Sequence, residues 1–492
     1  MVFLHLDTIN ENCLNVMAIK TEIINPNVSN LIKSLRDIGY TFEIAVADIL
    51  DNSITAGASD IEIIAVPEPE IKFEIFDNGR GMGENDLIEA MRLASKDPEE
   101  ERNKRDLGRF GLGLKTASFS QCQKITVISK NNNVISARQW DLLHIQKVNK
   151  WELITPSLEE QRKSNFYRKL QTVSNGTIVI WEDIDHQKKQ HFSNTIDAVN
   201  KHLSLVFHRF LEGKLGIQKV NITVNRRRLK PFNPFNISHS ATQQVPDEKL
   251  KFYNSSIIVK PFILPHHSKI SQAEYERYAT LDGYTKSQGF YLYRANRLLI
   301  YGTWWGLHRA IDAHKLVRIQ IDIPNNQDHL WGIDIKKSTA KPVSELRSDL
   351  KRIIKQVTTK GSRPYTGRGK KIEDKTTTHF WNLIPEDDVI RFVINKEHPV
   401  YEMLETNLNS EEFKFFQMYL MGLEAYIPLD AIQSQLQQNP YKIKQKEILR
   451  EEDIKNLAAE LNKSNLSEDE INKLLKTDIF KGKSELFAYG NE

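Results

Sequence analysis

In the first 200 residues, one segment has apolar residues at the spacing of a helix, and several segments after it have the pattern of strands. Apolar side chains recur at roughly helical spacing within residues 41–57, at Phe42, Val46, Ile49 and Ile54. Gly57 stands where a helix C-cap is common. Runs with strand character follow at Asp60–Val66, Ile71–Phe76, Ile125–Ser129, Val134–Trp140 and Gly176–Trp181. Interleaved helices and strands of this kind predict an α+β domain built on one mixed sheet.

A polar segment interrupts this pattern between residues 84 and 106. It begins with the helical pattern NDLIEAMRLA and continues as SKDPEEERNKRD, which is almost wholly polar. Long loops inside compact domains are uncommon and often close over a site. We therefore expect a lid over about residues 84–110, with a plain solvated connection as the alternative.

Strand patterns resume after residue 200 and predict a second α+β domain over residues 201–358. Its runs are VNITVNRRRLKPFNPF, SSIIVKPFIL, GFYLYRANRLLIYG and VRIQIDI. The basic, glycine-containing stretch TKGSRPYTGRGKK then predicts a linker over residues 359–379. Residues 380–492 contain amphipathic patterns and few strand signals, so we expect a mainly helical C-terminal region.

Length and composition limit the class of protein. A chain of 492 residues is long enough for about three domains. With 27% charged and 40% hydrophobic residues it has the composition of a soluble globular protein. It has no apolar run of membrane-spanning length and no signal-peptide pattern, so we expect a cytoplasmic protein without a membrane partner. The two cysteines, Cys13 and Cys122, are too few for a disulfide framework or a zinc site.

Candidate chemistry is concentrated in three short motifs. Asp48 and Asn52 are four residues apart and therefore share one face of the predicted helix. The strand IKFEIF runs into DNGRGMG, in which glycines permit close approach of the backbone and an aspartate can accept a hydrogen bond from an amine. LGRFGLGLKTAS places three glycines before a helix start, where free N–H groups bind phosphates.

In this order and spacing, the motifs resemble the signature of the GHKL ATPases, the superfamily of gyrase B, the heat-shock chaperone ATPases, histidine kinases and MutL. The matching pattern is an acid-x-x-x-Asn helix, Asp-x-Gly-x-Gly, a lid, Gly-x-x-Gly-x-Gly and a Gly-Thr strand at residues 176–177. The resemblance covers residues 30–185 and implies a Bergerat-type α/β sandwich that binds ATP within residues 1–200. The P-loop and the dinucleotide fingerprint are both absent from the sequence.

The resemblance also implies a role for each matching residue, with ATP and Mg²⁺ as cofactors. Asn52, flanked by Asp51 and Ser53, would bind Mg²⁺. Asp77 would accept a hydrogen bond from the adenine amino group, and Thr177 would lie near the base through water. The adenine pocket would be shaped by Gly79, Gly81 and Met82. The phosphates would be surrounded by Gly108, Arg109, Phe110, Gly111, Leu112, Gly113, Leu114 and Lys115.

Asp48 departs from the family pattern. Hydrolysing members usually carry glutamate at this position as the general base for the attacking water. Aspartate is shorter by one carbon–carbon bond, roughly 1.5 Å, so it must lie closer to the water or act through a second one. We therefore expect slow hydrolysis. Asp51 and Glu43 are the other acids of this helix that could serve as the base.

The second domain resembles the transducer of gyrase B, MutL and the MORC ATPases. The segments that carry this resemblance are VNRRRLKPFNPF and LYRANRLL. In that arrangement a transducer lysine reaches the γ-phosphate. The segment WGIDIKKSTAKP offers three lysines for this role: Lys336, Lys337 and Lys341. Strand alternation would place Lys337 on the face of Ile333 and Ile335, which favours Lys337. Solvated lysines at a strand end are the alternative.

The resemblance is closest to prokaryotic MORC- or MutL-like proteins, in which ATP binding orders the lid and dimerises the N-terminal domains. It implies double-stranded DNA as a partner, with repair, chromosome organisation and anti-phage defence as candidate pathways and operon-encoded proteins as further partners. Net charge is only +4, so a nucleic-acid interface must come from local clusters. Two clusters are present: one is Arg226, Arg227, Arg228 and Lys230, and the other is Lys360, Arg363, Arg368, Lys370 and Lys371.

Three alternatives remain open. Trp304 and Trp305 could stack nucleic-acid bases, although packing in a core is the simpler expectation. The protein could be a protein-remodelling chaperone that does not act on DNA. It could also be a nucleotide-controlled scaffold with little hydrolysis, a hypothesis that the shorter Asp48 favours.

Overall fold

The computed structural model describes residues 22, 27–93, 107, 113–185, 187–213, 216–252, 255–280, 283–328, 330–334, 337, 339–369, 376–386, 389–438, 449–463 and 466–487. The architecture is α+β, as the sequence predicts. Contacts within the chain divide it into two compact units, Met1–Phe232 and Asn233–Glu492. Within the described ranges, no helix combines the length and the apolar character needed to cross a membrane.

The first unit is a layer of helices packed on a sheet. Its helices are α1 (Val28–Arg36), α2 (Phe42–Thr55), α3 (Glu84–Met91), α4 (Gly113–Phe119), α5 (Leu142–Val148), α6 (Leu158–Arg162), α7 (Tyr167–Thr172), α8 (Phe192–Val206) and α9 (His208–Glu212). Its strands are β1 (Asp60–Val66), β2 (Lys72–Asp77), β3 (Cys122–Asn131), β4 (Val134–Asp141), β5 (Gly176–Ile184), β6 (Asn221–Val224) and β7 (Arg227–Arg228).

The sheet has the strand order β4-β3-β5-β2-β1-β6-β7. Neighbouring strands are antiparallel except β1 and β6, which are parallel, so the predicted mixed sheet is confirmed. Helix α2 packs on this sheet through Phe42, whose ring makes edge contacts with Phe73 and Trp181 at centroid distances of 5.2 and 5.6 Å. This anchored helix carries the predicted catalytic pair.

The boundary between the units differs from the predicted one at residue 200. Residues 201–232 belong to the first unit, because β6 continues the sheet beside β1 with Ile61 opposite Ile222. The side chain of Asn225 secures this edge, since its Oδ1 accepts from Ala65 N at 2.9 Å and its Nδ2 donates to Ala65 O at 3.2 Å. The alternating pattern of β6 identifies a strand but does not reveal which sheet it joins.

The second unit contains a sheet with the order β12-β11-β13-β10-β8, and β9 also pairs with β10. Its strands are β8 (Gln243–Gln244), β9 (Glu248–Phe252), β10 (Ser255–Ile263), β11 (Gly289–Arg294), β12 (Arg297–Thr303) and β13 (Val317–Ile323). Helix α10 spans Gln272–Ala279. The strands predicted from SSIIVKPFIL, GFYLYRANRLLIYG and VRIQIDI are all confirmed.

The predicted linker begins inside a helix rather than in a loop. Helix α11 spans Arg347–Gly369, and residues 370–375 of the predicted linker lie outside the described residues. Gly361 belongs to a packed surface, because a Cβ added there would lie 2.5 Å from Val317 Cγ2 on β13. A glycine that suggests flexibility in the sequence therefore serves close approach of a helix to a strand.

The C-terminal region is mainly helical, but it starts with a hairpin that the sequence did not predict. The strands are β14 (Trp381–Glu386) and β15 (Val389–Ile394), paired from Trp381 with Ile394 to Glu386 with Val389. The helices that follow are α12 (Pro399–Asn407), α13 (Ser410–Ala425), α14 (Leu429–Gln438), α15 (Glu451–Asn462) and α16 (Glu468–Leu474). The last two enclose a small core that contains Ile454, Ala458, Ile471, Leu474, Phe480 and Phe487.

Candidate functional site

Helix α2 provides the predicted base and metal ligand. Asp48 is buried and Asn52 is exposed on the same helical face. The Asn52 amide nitrogen donates to Asp48 O at 3.0 Å, one helical turn earlier. Because this bond uses the amide donor, the side-chain oxygen is the atom of Asn52 suited to a hard cation. Mg²⁺ takes oxygen ligands and commonly binds through one or two protein groups together with substrate phosphates. Asn52 therefore fits the proposed metal role.

The side chain of Asp48 is held by a neighbour that the sequence did not single out. The buried Tyr40 hydroxyl donates to Asp48 Oδ2 at 3.0 Å. Tyr40 precedes α2, and its own carbonyl accepts from Gln121 Nε2 at 3.1 Å. The phenol therefore restrains a carboxylate that is short for its predicted task. No local pattern relates a tyrosine to an acid eight residues later, so only the fold reveals this pair.

The end of the predicted phosphate loop lies beside the same acid. A Cβ added to Gly113, the first residue of α4, would lie 3.9 Å from Asp48 Oδ2. The fold thus brings together two motifs that are more than 60 residues apart in the sequence. The earlier loop residues Gly108, Arg109, Phe110, Gly111 and Leu112, and most of the predicted lid, lie outside the described residues.

Lys115 occupies the predicted helix start, but its side chain is directed to another helix. It is 2% exposed, and its ammonium donates to Ala90 O at 2.9 Å, near the end of α3. Leu114 is half-buried beside it. Since α3 forms the start of the segment predicted to be a lid and α4 follows that segment, Lys115 connects the first helix of the segment with the helix after it.

Asp77 ends β2 and accepts two hydrogen bonds in a buried position. Ser53 Oγ on α2 donates to Oδ2 at 2.8 Å, and the Gly79 N–H donates to Oδ1 at 2.9 Å. Burial raises the pKa of Asp77 to about 6, and the two hydrogen bonds oppose that rise. Each carboxylate oxygen has two lone pairs, so the ionised group can still accept from an amine. The sequence identified Asp77 but not its partner Ser53.

The glycines of this motif are required by close approach of the backbone. At Gly79 a Cβ would lie 2.9 Å from both Ala56 Cβ and Asp77 Oδ1. Gly81 has φ +65°, and a Cβ there would lie 1.9 Å from Lys130 O. Side chains at either position would displace the turn that follows Asp77. The Asp-x-Gly-x-Gly spacing is therefore a packing requirement of this fold as well as part of the predicted pocket.

Thr177 lies next to Asp77 across the sheet. The two residues are directly paired between β5 and β2, and Thr177 is also paired with Ser129 of β3. The Thr177 and Ser129 hydroxyls are 2.9 Å apart, and Ser129 Oγ accepts from Met82 N at 2.9 Å. A buried serine thus links the glycine turn to the Gly-Thr strand. Ser129 carries no motif and was missed by the sequence.

The region around Lys337 does not form the predicted strand. Its described residues form a turn in which Lys337 N donates to Asp334 O at 3.1 Å and Lys341 N donates to Trp331 O at 2.9 Å. Lys337 has φ 55° and is 9% exposed, whereas Lys336 lies outside the described residues. Strand alternation therefore gives no reason to favour Lys337, because a left-handed residue does not continue a β-strand.

The basic turn and the tryptophan pair have different surroundings. The turn between β6 and β7 has positive φ at Asn225 and Arg226, and the arginines at 226–228 are exposed. Trp304 is buried, and its Nε1 donates to Gln288 Oε1 at 3.2 Å. Trp305 stacks on Phe290 at a centroid distance of 4.6 Å. The tryptophans therefore pack inside the second unit, in agreement with the simpler expectation.

Comparison with protein families gives a match over the segment that contains this site. Residues 40–177 match the family described as Histidine kinase-, DNA gyrase B-, and HSP90-like ATPase. The match supports the GHKL superfamily. The matched GHKL segment starts at Tyr40 and ends at Thr177, so it contains the described site from the Asp48 partner to the Gly-Thr strand. It supports ATP binding and hydrolysis in general terms. No curated protein matches the chain.

Proposed function

We propose that this protein is a Mg²⁺-dependent ATPase of the MORC- or MutL-like type, in which ATP controls association of the N-terminal domains and action on double-stranded DNA. The observation that carries the proposal is that one helix, α2, contributes side chains to both ends of the site. Its Asp48 lies beside the first residue of α4, and its Ser53 holds Asp77 at the end of β2. One helix thus connects the residues proposed to contact the phosphates with those proposed to contact adenine.

At the adenine end, specificity comes from Asp77. An ionised carboxylate accepts the hydrogen bond that the exocyclic amino group of adenine donates, whereas guanine presents a carbonyl at the same place. Hydroxyls of Ser53, Ser129 and Thr177 hold the surrounding strands and turn in place. The pocket recognises ATP because these groups are fixed before the nucleotide arrives.

At the phosphate end, Asn52 would hold Mg²⁺, and the cation would neutralise charge on the phosphates of the bound nucleotide. Asp48 accepts a proton from the attacking water, and Tyr40 keeps the carboxylate in one orientation through its hydrogen bond to Oδ2. Proton transfer to a positioned base contributes about 10²–10⁴-fold to a rate. The short aspartate makes slow turnover the expected behaviour.

The nucleotide acts as a gate in this proposal. ATP orders the lid and draws two N-terminal domains together, one of the second-unit lysines Lys336, Lys337 and Lys341 senses the γ-phosphate, and hydrolysis reopens the pair. A conformational change of this kind requires contacts that differ between nucleotide states. The exposed arginines at residues 226–228 provide a surface for DNA phosphates.

Steady-state ATP hydrolysis with and without double-stranded DNA, over a series of salt concentrations, tests this function. We expect DNA to stimulate turnover and salt to weaken the stimulation. Replacing Arg226, Arg227 and Arg228 with alanine should weaken DNA binding. The slope of log DNA affinity against log salt concentration should become shallower by roughly 0.9 for each phosphate contact that is lost. Stimulation by unfolded protein but not by DNA would favour a chaperone. Tight ATP binding without turnover would favour a scaffold. The hydrogen bond that Asp48 already accepts from Tyr40 supports this alternative.

A further inference from the structure

Two histidines of the second unit lie with their ring nitrogens in direct contact. The distance between His308 Nε2 and His314 Nδ1 is 2.8 Å, and the ring centroids are 4.9 Å apart. Both side chains are half-buried in the segment that connects β12 with β13. At this distance an N–H of one ring donates to the lone pair of the other. Two facing imidazole nitrogens are also a donor set that transition metals bind.

The connecting segment holds the two rings in place within the chain. The Trp304 ring contacts His308 at a centroid distance of 4.9 Å. Gln288 joins both ends of the segment, since its Oε1 accepts from Trp304 Nε1 at 3.2 Å and its Nε2 donates to Ile311 O at 3.1 Å. His314 N also donates to Ile311 O at 3.1 Å. The backbone that carries the pair is therefore braced, as a preorganised metal site requires.

The charges around the pair permit a cation to bind. Burial lowers the pKa of both imidazoles, and His308 lowers the pKa of His314 further. Both rings are therefore neutral at pH 7, which is the form that binds metals. The Lys315 ammonium nearby donates to Asp312 Oδ2 at 2.9 Å, so its charge is balanced. The other oxygen of Asp312 accepts from Thr285 Oγ1 at 3.4 Å, so this carboxylate is already engaged.

The separation of the two nitrogens selects the kind of metal. With metal–nitrogen bonds of about 2.0–2.1 Å, nitrogens that are 2.8 Å apart subtend an angle of roughly 85–90° at the metal. Two ligands of a tetrahedral ion would be about 3.3 Å apart at the same bond length. An angle near 90° is that of adjacent ligands in square-planar or octahedral coordination. Cu²⁺ and Ni²⁺ adopt such geometries with nitrogen and oxygen ligands.

The pair would provide two ligands of an open site. Within the residues that the structure describes, no three His, Cys, Asp or Glu side chains are grouped so that they could hold a metal ion. Structural zinc sites are closed by four protein ligands, whereas an ion held by fewer keeps positions for water. The pair therefore does not form a structural zinc site, and water would complete the coordination.

We propose that His308 and His314 form a binding site for a divalent transition metal of square-planar or octahedral preference, with Cu²⁺ bound most tightly. His308 binds through Nε2 and His314 through Nδ1. The proton between the rings moves to the outer nitrogen of its own ring, so both facing nitrogens present lone pairs and both rings stay neutral. Cu²⁺ has the highest affinity of the first-row divalent ions for a given nitrogen site. The site uses none of the residues proposed to bind ATP.

Calorimetric titration of Cu²⁺ into the tag-free full chain, without nucleotide and with glycine as a competing ligand, tests the proposal. We expect one tightly bound ion per chain. His308→Gln and His314→Gln should each raise the Kd by at least about tenfold, because even the groups around a metal ligand are worth roughly 10–100-fold in affinity. Melting temperatures of the metal-free variants show whether each of them is folded.

His191→Gln is the matched control. His191 is an exposed histidine of the first unit, so its substitution removes an imidazole outside the proposed site and should leave the Kd unchanged. If the wild type and both pair variants bind Cu²⁺ with the same affinity, the proposal is overturned. A loss of affinity in His191→Gln as large as that in the pair variants would overturn it as well.

Electron paramagnetic resonance of the Cu²⁺-loaded wild type gives a readout that does not depend on the folding of any variant. We expect the spectrum of a tetragonal Cu²⁺ ion with splitting from two imidazole nitrogens. A spectrum with one nitrogen or none would contradict the proposal, and the two rings would then be a hydrogen-bonded pair only.

Discussion

The two ends of the candidate nucleotide site hold their acids in different ways. Asp77 ends a central strand, and both of its oxygens accept hydrogen bonds from groups fixed by α2 and by the glycine turn. Asp48 lies on a helix, and its oxygen Oδ2 accepts from Tyr40. The residue proposed to bind adenine is thus held by the sheet and by α2. The residue proposed for catalysis, Asp48, is shorter than the glutamate of the family pattern. Recognition of the nucleotide and its hydrolysis should therefore respond differently to substitution.

The largest effect should come from Asn52→Ala. Partners that surround a metal ligand are worth roughly 10–100-fold in affinity, so loss of the ligand itself should weaken Mg·ATP binding by at least about 100-fold. Titration calorimetry measures this directly. Asn407→Ala is the control, because Asn407 makes the same bond to the carbonyl four residues earlier, at 2.8 Å on α12. Equal affinity in the wild type and Asn52→Ala would remove the metal role from Asn52.

Asp77→Asn should reduce the selectivity for ATP over GTP and leave the binding of the triphosphate group unchanged. A hydrogen bond to a charged group is worth about 1.5–3 kcal/mol, so the preference for ATP over GTP should fall by roughly tenfold. Competition between the two nucleotides for the wild type and the variant gives the ratio. If the wild type binds ATP and GTP equally, the proposed adenine contact is wrong from the start.

The same variant should be more stable than the wild type above pH 6. The pKa of Asp77 is raised to about 6 from its ordinary value of 3.8. The folded state therefore binds more protons between these values, so this carboxyl lowers stability as pH rises through the window. Ionisation of this carboxyl in the folded state lowers the free energy of unfolding by at most about 3 kcal/mol, and asparagine, which does not ionise, removes that loss. The melting temperature of Asp77→Asn should exceed that of the wild type at pH 8, and the difference should disappear below pH 4. A difference that is the same at every pH would contradict the raised pKa of Asp77.

Tyr40→Phe should have a smaller effect, confined to turnover. It removes one hydrogen bond to Asp48 and keeps the ring, so hydrolysis should slow by roughly three- to tenfold while ATP affinity stays the same. The measurement is steady-state hydrolysis beside titration of ATP binding for the wild type and the variant. A lower melting temperature with an unchanged hydrolysis rate would mean that Tyr40 only supports the fold.

Much of the first unit was predictable because its strands alternate and α2 carries a helical period. Motif spacing likewise identified Asp48, Asn52, Asp77 and Thr177 as candidates. What remained hidden were contacts across the fold that have no local pattern, namely those of Tyr40 with Asp48, of Ser53 with Asp77 and of Ser129 with Thr177. Their roles follow from strand register and helix packing, which the sequence does not display. The strand expected at Lys337 failed because residues that look extended close a turn instead.

Parallel measurement of ATP hydrolysis and ATP binding for the wild type and Asp48→Ala tests the central claim most directly. We expect turnover to fall by about 10²–10⁴-fold with nearly unchanged affinity, so that the variant holds ATP. Glu43→Gln serves as the control, since Glu43 is a half-buried acid in the first turn of the same helix. Asp48→Glu should retain or raise activity if the pocket keeps the family's spacing. A hydrolysis rate that Asp48→Ala leaves unchanged would contradict the account, because the base would then be another group.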